Sequence, residues 1–169
     1  AREVIFVDLS LAQMAALGST VAIFAGSEPG STMSYVYALG FTTIGAALFA
    51  LTRTHEKGRV PQEAIIGIVY VVASAAAILV ANRVPRGGEA IKDILVGSLL
   101  WVTWPAILKM AGVYALLGVF HFVLRKRFLT ISFEPEKALA NGWSLRWWDF
   151  WFYLSFGGVI TLSVPIAGV

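Results

Sequence analysis

Cysteine is absent from the 169 residues, and charge is scarce: Asp, Glu, Lys and Arg make up 14% of the chain. The first absence excludes disulfides, thiolate metal sites and cysteine nucleophiles. The second, set against 58% apolar residues, excludes a water-soluble globule, since such domains carry about 25% charged and roughly 45–50% apolar residues. Histidine is nearly missing too. His55 and His121 stand 66 positions apart, and neither falls in a metal-ligand spacing. No GxxxxGK[ST] occurs, so the chain carries no P-loop of its own. No nucleophile–base pair is visible either.

What is present is apolar sequence in long windows, with a mean hydropathy of +0.77. A bilayer core of about 30 Å takes about 20 helical residues to cross. Spans are expected at 6–26, 33–52, 62–81 and 102–124, with a last one starting at Trp147 and running to the chain end. The fold class is therefore all-α: a polytopic helical membrane bundle, read as one domain over residues 1–169. Pro61 suits the first helical position of the third span, where its missing N–H costs nothing. Residues 90–101 are apolar but short, and Lys92 and Asp93 interrupt them. They are expected to form a short helix at the interface or against the bundle, without crossing.

The net charge of +3 is distributed by topology and does not form a nucleic-acid face. If 90–101 does not cross, Arg2, Arg53, Lys57, Arg59, Arg125, Lys126, Arg127, Lys137 and Arg146 collect on one side, against Arg83, Arg86 and Lys92 on the other. The positive-inside rule makes the first side cytoplasmic, with loops 53–60 and 125–146 on it. Trp147, Trp148, Trp151 and Tyr153 are expected as an aromatic belt at that boundary. Small residues four apart (Gly18, Ala22 and Gly26; Ala73, Ala77 and Ala81) predict close helix packing, or else a groove for a substrate.

Few residues could carry chemistry. Asp8 is a carboxylate early in its span, where such a group faces a cavity or a partner, or is solvated at the helix end. Gln13 could bond a neighbouring helix or a hydrated cation. Glu63 and Asp149 are expected in the first turns of their spans, complementing helix dipoles. Lys109 either snorkels outward or lines an ion path. His121 is expected near the cytoplasmic interface.

The most informative segment runs Phe133-Glu134-Pro135-Glu136-Lys137-Ala138-Leu139-Ala140-Asn141-Gly142. Pro135 can open a helix whose positive end Glu134 and Glu136 complement, and Asn141-Gly142 can close it. A helix of two turns is expected at 135–141. At that length it persists only on a surface, either a partner protein or the membrane.

This segment resembles the "F-D-P-E-x-A-x-A-x-G" signature of permease subunits of ABC importers for zinc, manganese and iron. Four further stretches are similar in the family's order. They are REVIFVDLSLAQMAALG (Arg2 to Gly18), EAIIGIVY (Glu63 to Tyr70), LVGSLLWV (Leu95 to Val102) and the run from Asp149 to V-P-I-A-G at Gly168. The resemblance covers nearly the whole chain and implies a fragment lacking the family's first and last helices. It implies a homodimer embedded in membrane lipid of an inner or plasma membrane, with the translocation path at the subunit interface and no cofactor bound by this chain. A soluble extracytoplasmic metal-binding protein would deliver the metal, and cytoplasmic P-loop ATPase subunits would drive transport. Phe133, Glu134, Pro135, Glu136, Ala138, Ala140 and Gly142 would then form the ATPase-coupling helix. Asp8 and Gln13 would touch the substrate pathway, Asp8 as a metal contact.

Two departures stand out: Gln13 occupies the place where the family commonly has His, one residue further from the Asp, and Glu134 replaces Asp. An amide oxygen is a harder and weaker ligand than imidazole, which leaves the metal open, bare or chelated. The other class of reading is a structural or accessory subunit of a larger membrane complex without a transport path.

Overall fold

The computed structural model describes residues 6–52, 61–85 and 87–168. Among them the chain runs α1 (Val7–Phe24), α2 (Thr32–Leu51), α3 (Gln62–Ala81), α4 (Gly87–Val96), a single 3-10 turn (Leu99–Trp101), α5 (Trp104–Phe133), α6 (Pro135–Ala140) and α7 (Leu145–Ala167), with no strand. Helices α1, α2, α3, α5 and α7 are long and apolar enough to cross a membrane. At about 1.5 Å per residue, the ten residues of α4 reach only about 15 Å, half a bilayer core. On its own it is too short to cross one.

Lipid tails are as apolar as leucine, so close backbone approach rather than hydrophobicity brings membrane helices together. The small residues do this here. A Cβ added at Gly18 would lie 2.6 Å from the Tyr37 carbonyl oxygen and 2.7 Å from the Ala38 Cα, so α1 and α2 touch backbone to backbone. Ala73 and Ala77 of α3 are buried against Met14 and Leu17 of α1. Gly26, expected on the same stripe, lies past the end of α1 at φ 89°, exposed, and packs on nothing. Helix α1 is thus the core element, with 67% of its span buried, while the most apolar window of α5 has none of its residues buried.

Two joints fix which helix ends lie together. The Ser98 N–H donates to the Ile166 carbonyl at 3.0 Å, and the Ser98 hydroxyl donates to the Pro165 carbonyl at 3.1 Å. The stretch between α3 and α5 therefore shares an end of the bundle with the close of α7. At the opposite end, the Gln62 amide donates to Tyr153 Oη at 3.2 Å, tying the start of α3 to the first half of α7.

The structure corrects several expectations. Residues 125–146 are not one polar connection. Nothing breaks the helix before Pro135, and Arg125, Lys126 and Arg127 are good helix formers, so α5 continues to Phe133. Its 30 residues reach about 45 Å, some 15 Å beyond the bilayer core. Residues 90–101 are not one helix, because Gly97 at φ 74° stops α4. A Cβ at Gly97 would lie 2.5 Å from the Gly168 nitrogen, so only glycine lets this turn lie on the end of α7. Pro61 is extended, at ψ 142°, and caps α3 from outside rather than opening it. Helix α7 begins at Leu145, two residues before Trp147, which moves Asp149 out of its first turn. Loop 53–60, with Arg2 and Arg86, lies outside the described residues.

Candidate functional site

The segment 133–142 folds as its residues dictate. Pro135 takes the first helical position of α6, and the Ala138 N–H donates to the Glu134 carbonyl at 3.1 Å. The helix closes in a Schellman pattern: the Trp143 N–H donates to the Ala138 carbonyl at 3.0 Å and the Gly142 N–H to the Leu139 carbonyl at 2.9 Å. Gly142 supplies the required left-handed conformation, at φ 72°. Asn141, expected as the last helical residue, is the C-cap.

Six residues form no stable helix alone, and α6 is held from behind. Ala138, fully buried, packs with Ile131 of α5 and Leu145 of α7, and Trp143 and Trp148 close over the cluster. The Arg127 guanidinium lies 5.1 Å from the Trp148 ring and 5.7 Å from that of Trp143, cation–π contacts worth about 0.5–1 kcal/mol each at exposed sites. The other face of α6 is open: Phe133, Glu134, Pro135, Glu136, Leu139 and Ala140 are exposed. Lys137 pairs with Glu134 at 2.9 Å, but both side chains are mostly in solvent and the pair adds little. Among the expected coupling residues, then, Ala138 faces the bundle and the rest face outward or shape the turn.

Behind this end an aromatic cluster joins α5 to α7. His121 stacks on Phe128 at 5.2 Å, with Phe120 and Phe152 edge-on. Its Nδ1 is 3.0 Å from the Leu117 carbonyl and its Nε2 3.3 Å from Ser155 Oγ. It joins α5 to α7. The expected belt also divides. Trp147 and Trp151 stay exposed, whereas Tyr153 is buried on Phe49 at 5.9 Å and Trp148 packs on Phe128 at 5.7 Å.

Asp8 and Gln13 are not brought together. Five residues turn a helix by about 140° beyond one full turn, and the two side chains diverge. Asp8 is exposed in the first turn of α1, its Oδ1 accepting from the Leu9 N–H at 2.8 Å. Gln13 is 7% exposed and lines a cleft of about 260 Å³ between α1, α3 and α4. Thr20, Tyr70 and Ser74 line it as well, with walls of Ala16, Ala77, Ile78, Ile94 and Leu95. Thr20 donates to the Ala16 carbonyl at 2.8 Å and Ser74 to the Tyr70 carbonyl at 2.9 Å. One turn before Gln13, Ser10 is fully buried and its Oγ has no hydrogen-bond partner. The sequence reading passed over Thr20, Tyr70 and Ser74. The signal was the run Ser10, Gln13, Thr20 along one face of α1.

Lys109 sits at the Ser98 end, exposed, with its Nζ 4.6 Å from the Tyr35 ring. Glu63 occupies the first turn of α3, as expected. No group of three His, Cys, Asp or Glu among the described residues could hold a metal ion.

A bundle of membrane-length helices with a braced helix outside it is the architecture of a polytopic membrane protein. The chain belongs to the ABC 3 transport family, whose model matches residues 2–169. It is 27% identical over 151 residues to the manganese transport system membrane protein MntC of Listeria innocua, covering 83% of this chain and 52% of that protein. It is 28% identical over 121 residues to the manganese transport system membrane protein MntB of Synechocystis sp., covering 68% and 39%. The chain thus spans about half the length of these relatives or less. In fold it is similar to PsaBC from Streptococcus pneumoniae in complex with Fab, with a TM-score of 0.73 at 16% identity over 96% of this chain and 56% of that one.

Proposed function

We propose that this chain is membrane-spanning permease sequence of an ABC importer for a divalent metal ion, energised by a separate cytoplasmic P-loop ATPase. The observation that carries the proposal is α6. A six-residue helix, capped at its close and braced by Ala138 between α5 and α7, presents an open face outside the packed membrane-length helices. Such an element suits receiving a push and passing it on. The charge asymmetry puts it in the cytoplasm, where an ATPase could seat Phe133, Glu136 and Leu139.

The path of the push is short. Ala138 moves with Ile131 and Leu145, hence with α5 and α7. Helix α7 is bonded to α2 through Thr42 and Thr161 at 3.1 Å, and α1 packs on both. Helix α1 carries Gln13 and Asp8, assigned here to the translocation path: Gln13 in the cleft, Asp8 as a charge at the cytoplasmic mouth. The cargo is zinc, manganese or iron, and the manganese relatives weigh toward manganese. An extracytoplasmic metal-binding protein and a second permease copy complete the assembly.

The test uses the full-length protein in its native membrane, with one cysteine placed at Glu136 and any cysteine outside residues 1–169 replaced by serine. A cross-link to a P-loop ATPase that changes with bound nucleotide is the expected result. A cysteine that is cytoplasmic and never meets an ATPase would move the chain to the accessory-subunit class.

A further inference from the structure

We propose that the cytoplasmic flank between α5 and α7 binds an anionic phospholipid, with the Arg127 guanidinium on its phosphate and Phe120 and Trp151 against an acyl chain. The proposal goes beyond the transport reading. It needs only that the chain spans a membrane with the 125–146 end in the cytoplasm.

Arg127 supplies the first argument. It is exposed, yet two rings at the α6–α7 joint hold it, Trp148 at 5.1 Å and Trp143 at 5.7 Å. Among the described residues it makes no hydrogen bond and no ion pair, so its N–H donors are unspent. A guanidinium carries five of them in a planar fork that suits phosphate oxygens. A fork already held in place loses less freedom on binding. Arg125 differs: it lies on Phe122 of its own helix at 4.5 Å. Two residues turn a helix by about 200°, so Arg125 faces away from this flank.

Depth supplies the second. About 20 helical residues cross the bilayer core, so α5, which starts at Trp104, leaves the core near residue 124. Arg127 lies about 4.5 Å further on, in the headgroup layer. The apolar wall supplies the third. Leu116 and Phe120 precede Arg127 by close to whole helical turns and share its face of α5. From α7, the Trp151 ring stands 6.3 Å from that of Phe120, and the Trp147 ring 5.8 Å from that of Trp151. Leu116, Trp147 and Trp151 are exposed. An unspent cation at phosphate level, next to an exposed apolar wall, matches a molecule with negative charge at one end and acyl chains at the other. The cytoplasmic leaflet is where such anionic lipids lie. A soluble anion would leave the wall uncovered.

The experiment delipidates the full-length permease in detergent and titrates it with dioleoylphosphatidylglycerol, counting bound lipid by native mass spectrometry. Dioleoylphosphatidylcholine, with the same chains and a headgroup of no net charge, is the comparison. We expect the first phosphatidylglycerol to bind about fivefold more tightly, the effect of one basic residue near anionic lipid. Arg127→Gln should remove that preference. Arg127→Lys, which keeps the charge and loses the fork, should retain part of it, and it serves as the test where the neutral variant fails to fold. Arg83→Gln, just past the far end of α3, should leave the preference whole. Equal affinity for the two lipids in wild type, or a preference that the Arg127 variants leave intact, overturns the proposal. Displacement of the lipid by inorganic phosphate alone overturns it too, because the site would then be one for a free anion. ATPase association lost in Arg127→Gln with the lipid preference unchanged would assign the residue to the partner protein instead. None of these outcomes decides the transport reading, which stands or falls on the Glu136 cross-link.

Discussion

The Trp143 N–H reaches back to the Ala138 carbonyl at 3.0 Å, and its ring packs on the cluster that buries the Ala138 side chain. One residue thus ends α6 and glues it to the bundle. The same contact explains why a helix of only six residues holds its shape: most of its stability is tertiary, drawn from α5 and α7. A load on the open face of α6 passes into both long helices, because no flexible linker separates them.

Replacing Ala138 tests this brace. Ala138→Leu forces three extra carbons into a closed cluster, a change that costs about 1–3 kcal/mol. The expected outcome is a protein still inserted in the membrane, with metal uptake and ATPase co-purification both reduced. Leu139→Ala, on the exposed face, should leave thermal stability unchanged and weaken only the ATPase association. Equal loss of stability in both variants would contradict the division into inner and outer faces.

Residues 1–169 hold no cysteine, so single cysteines placed among them report on position once any cysteine elsewhere in the full-length protein is replaced. A maleimide added from the cytoplasmic side should label Glu136→Cys quickly and Ala138→Cys slowly, since the first position is exposed and the second fully buried. Leu100→Cys, 93% exposed in the 3-10 turn before α5, should react only from the outside. Labelling of positions 100 and 136 from the same side would overturn the topology.

Gly18 and Gly112 should answer an added methyl in opposite ways. At Gly18 it meets α2 backbone at 2.6–2.9 Å, whereas at Gly112 nothing lies within 4 Å. Backbone cannot rotate aside as a side chain can, so Gly18→Ala must part α1 from α2, and a loss of about 1–3 kcal/mol is expected. Gly112→Ala should be neutral. Thermal unfolding of the two variants in detergent decides it.

The long helices were legible because membrane length and charge placement are properties of the chain itself. Spans near 6–26, 33–52 and 62–81 emerge as α1, α2 and α3 within about two residues at each end. The helix at 135–141 was legible for a different reason: Pro135 and Gly142 mark both ends by backbone chemistry alone. The extension of α5 to Phe133 was hidden because Arg125 to Arg127 read as a span boundary, and polar residues leave the membrane without having to leave the helix. The cleft was hidden more deeply. Gln13 could be singled out as a polar residue in an apolar helix, but Tyr70 and Ser74 join it only through the packing of α3 on α1, which small residues permit without specifying. The separation of Asp8 from Gln13 was implicit in their spacing, since five residues do not return to one helix face.

The bond between Thr42 and Thr161 is the last relationship that can be measured directly. The Thr42 hydroxyl donates to the Ala38 carbonyl at 2.6 Å, so its oxygen accepts from Thr161 across the α2–α7 contact at 3.1 Å. Gly157, one turn before Thr161, leaves room for the Thr42 methyl, which any Cβ at that position would strike. Hydrogen bonds between membrane helices average about 0.6 kcal/mol in double-mutant cycles, with a maximum of about 1.7. A cycle of Thr42→Val, Thr161→Val and the double variant should return a coupling in that range, because valine keeps the shape while removing the hydroxyl. Coupling indistinguishable from zero would mean that fit around Gly157 holds α2 to α7 without help from the bond. If α7 does relay the push from α6 toward α1, the same double variant should also slow metal uptake more than its stability loss explains. Uptake that merely follows protein abundance would assign Thr42 and Thr161 to packing alone.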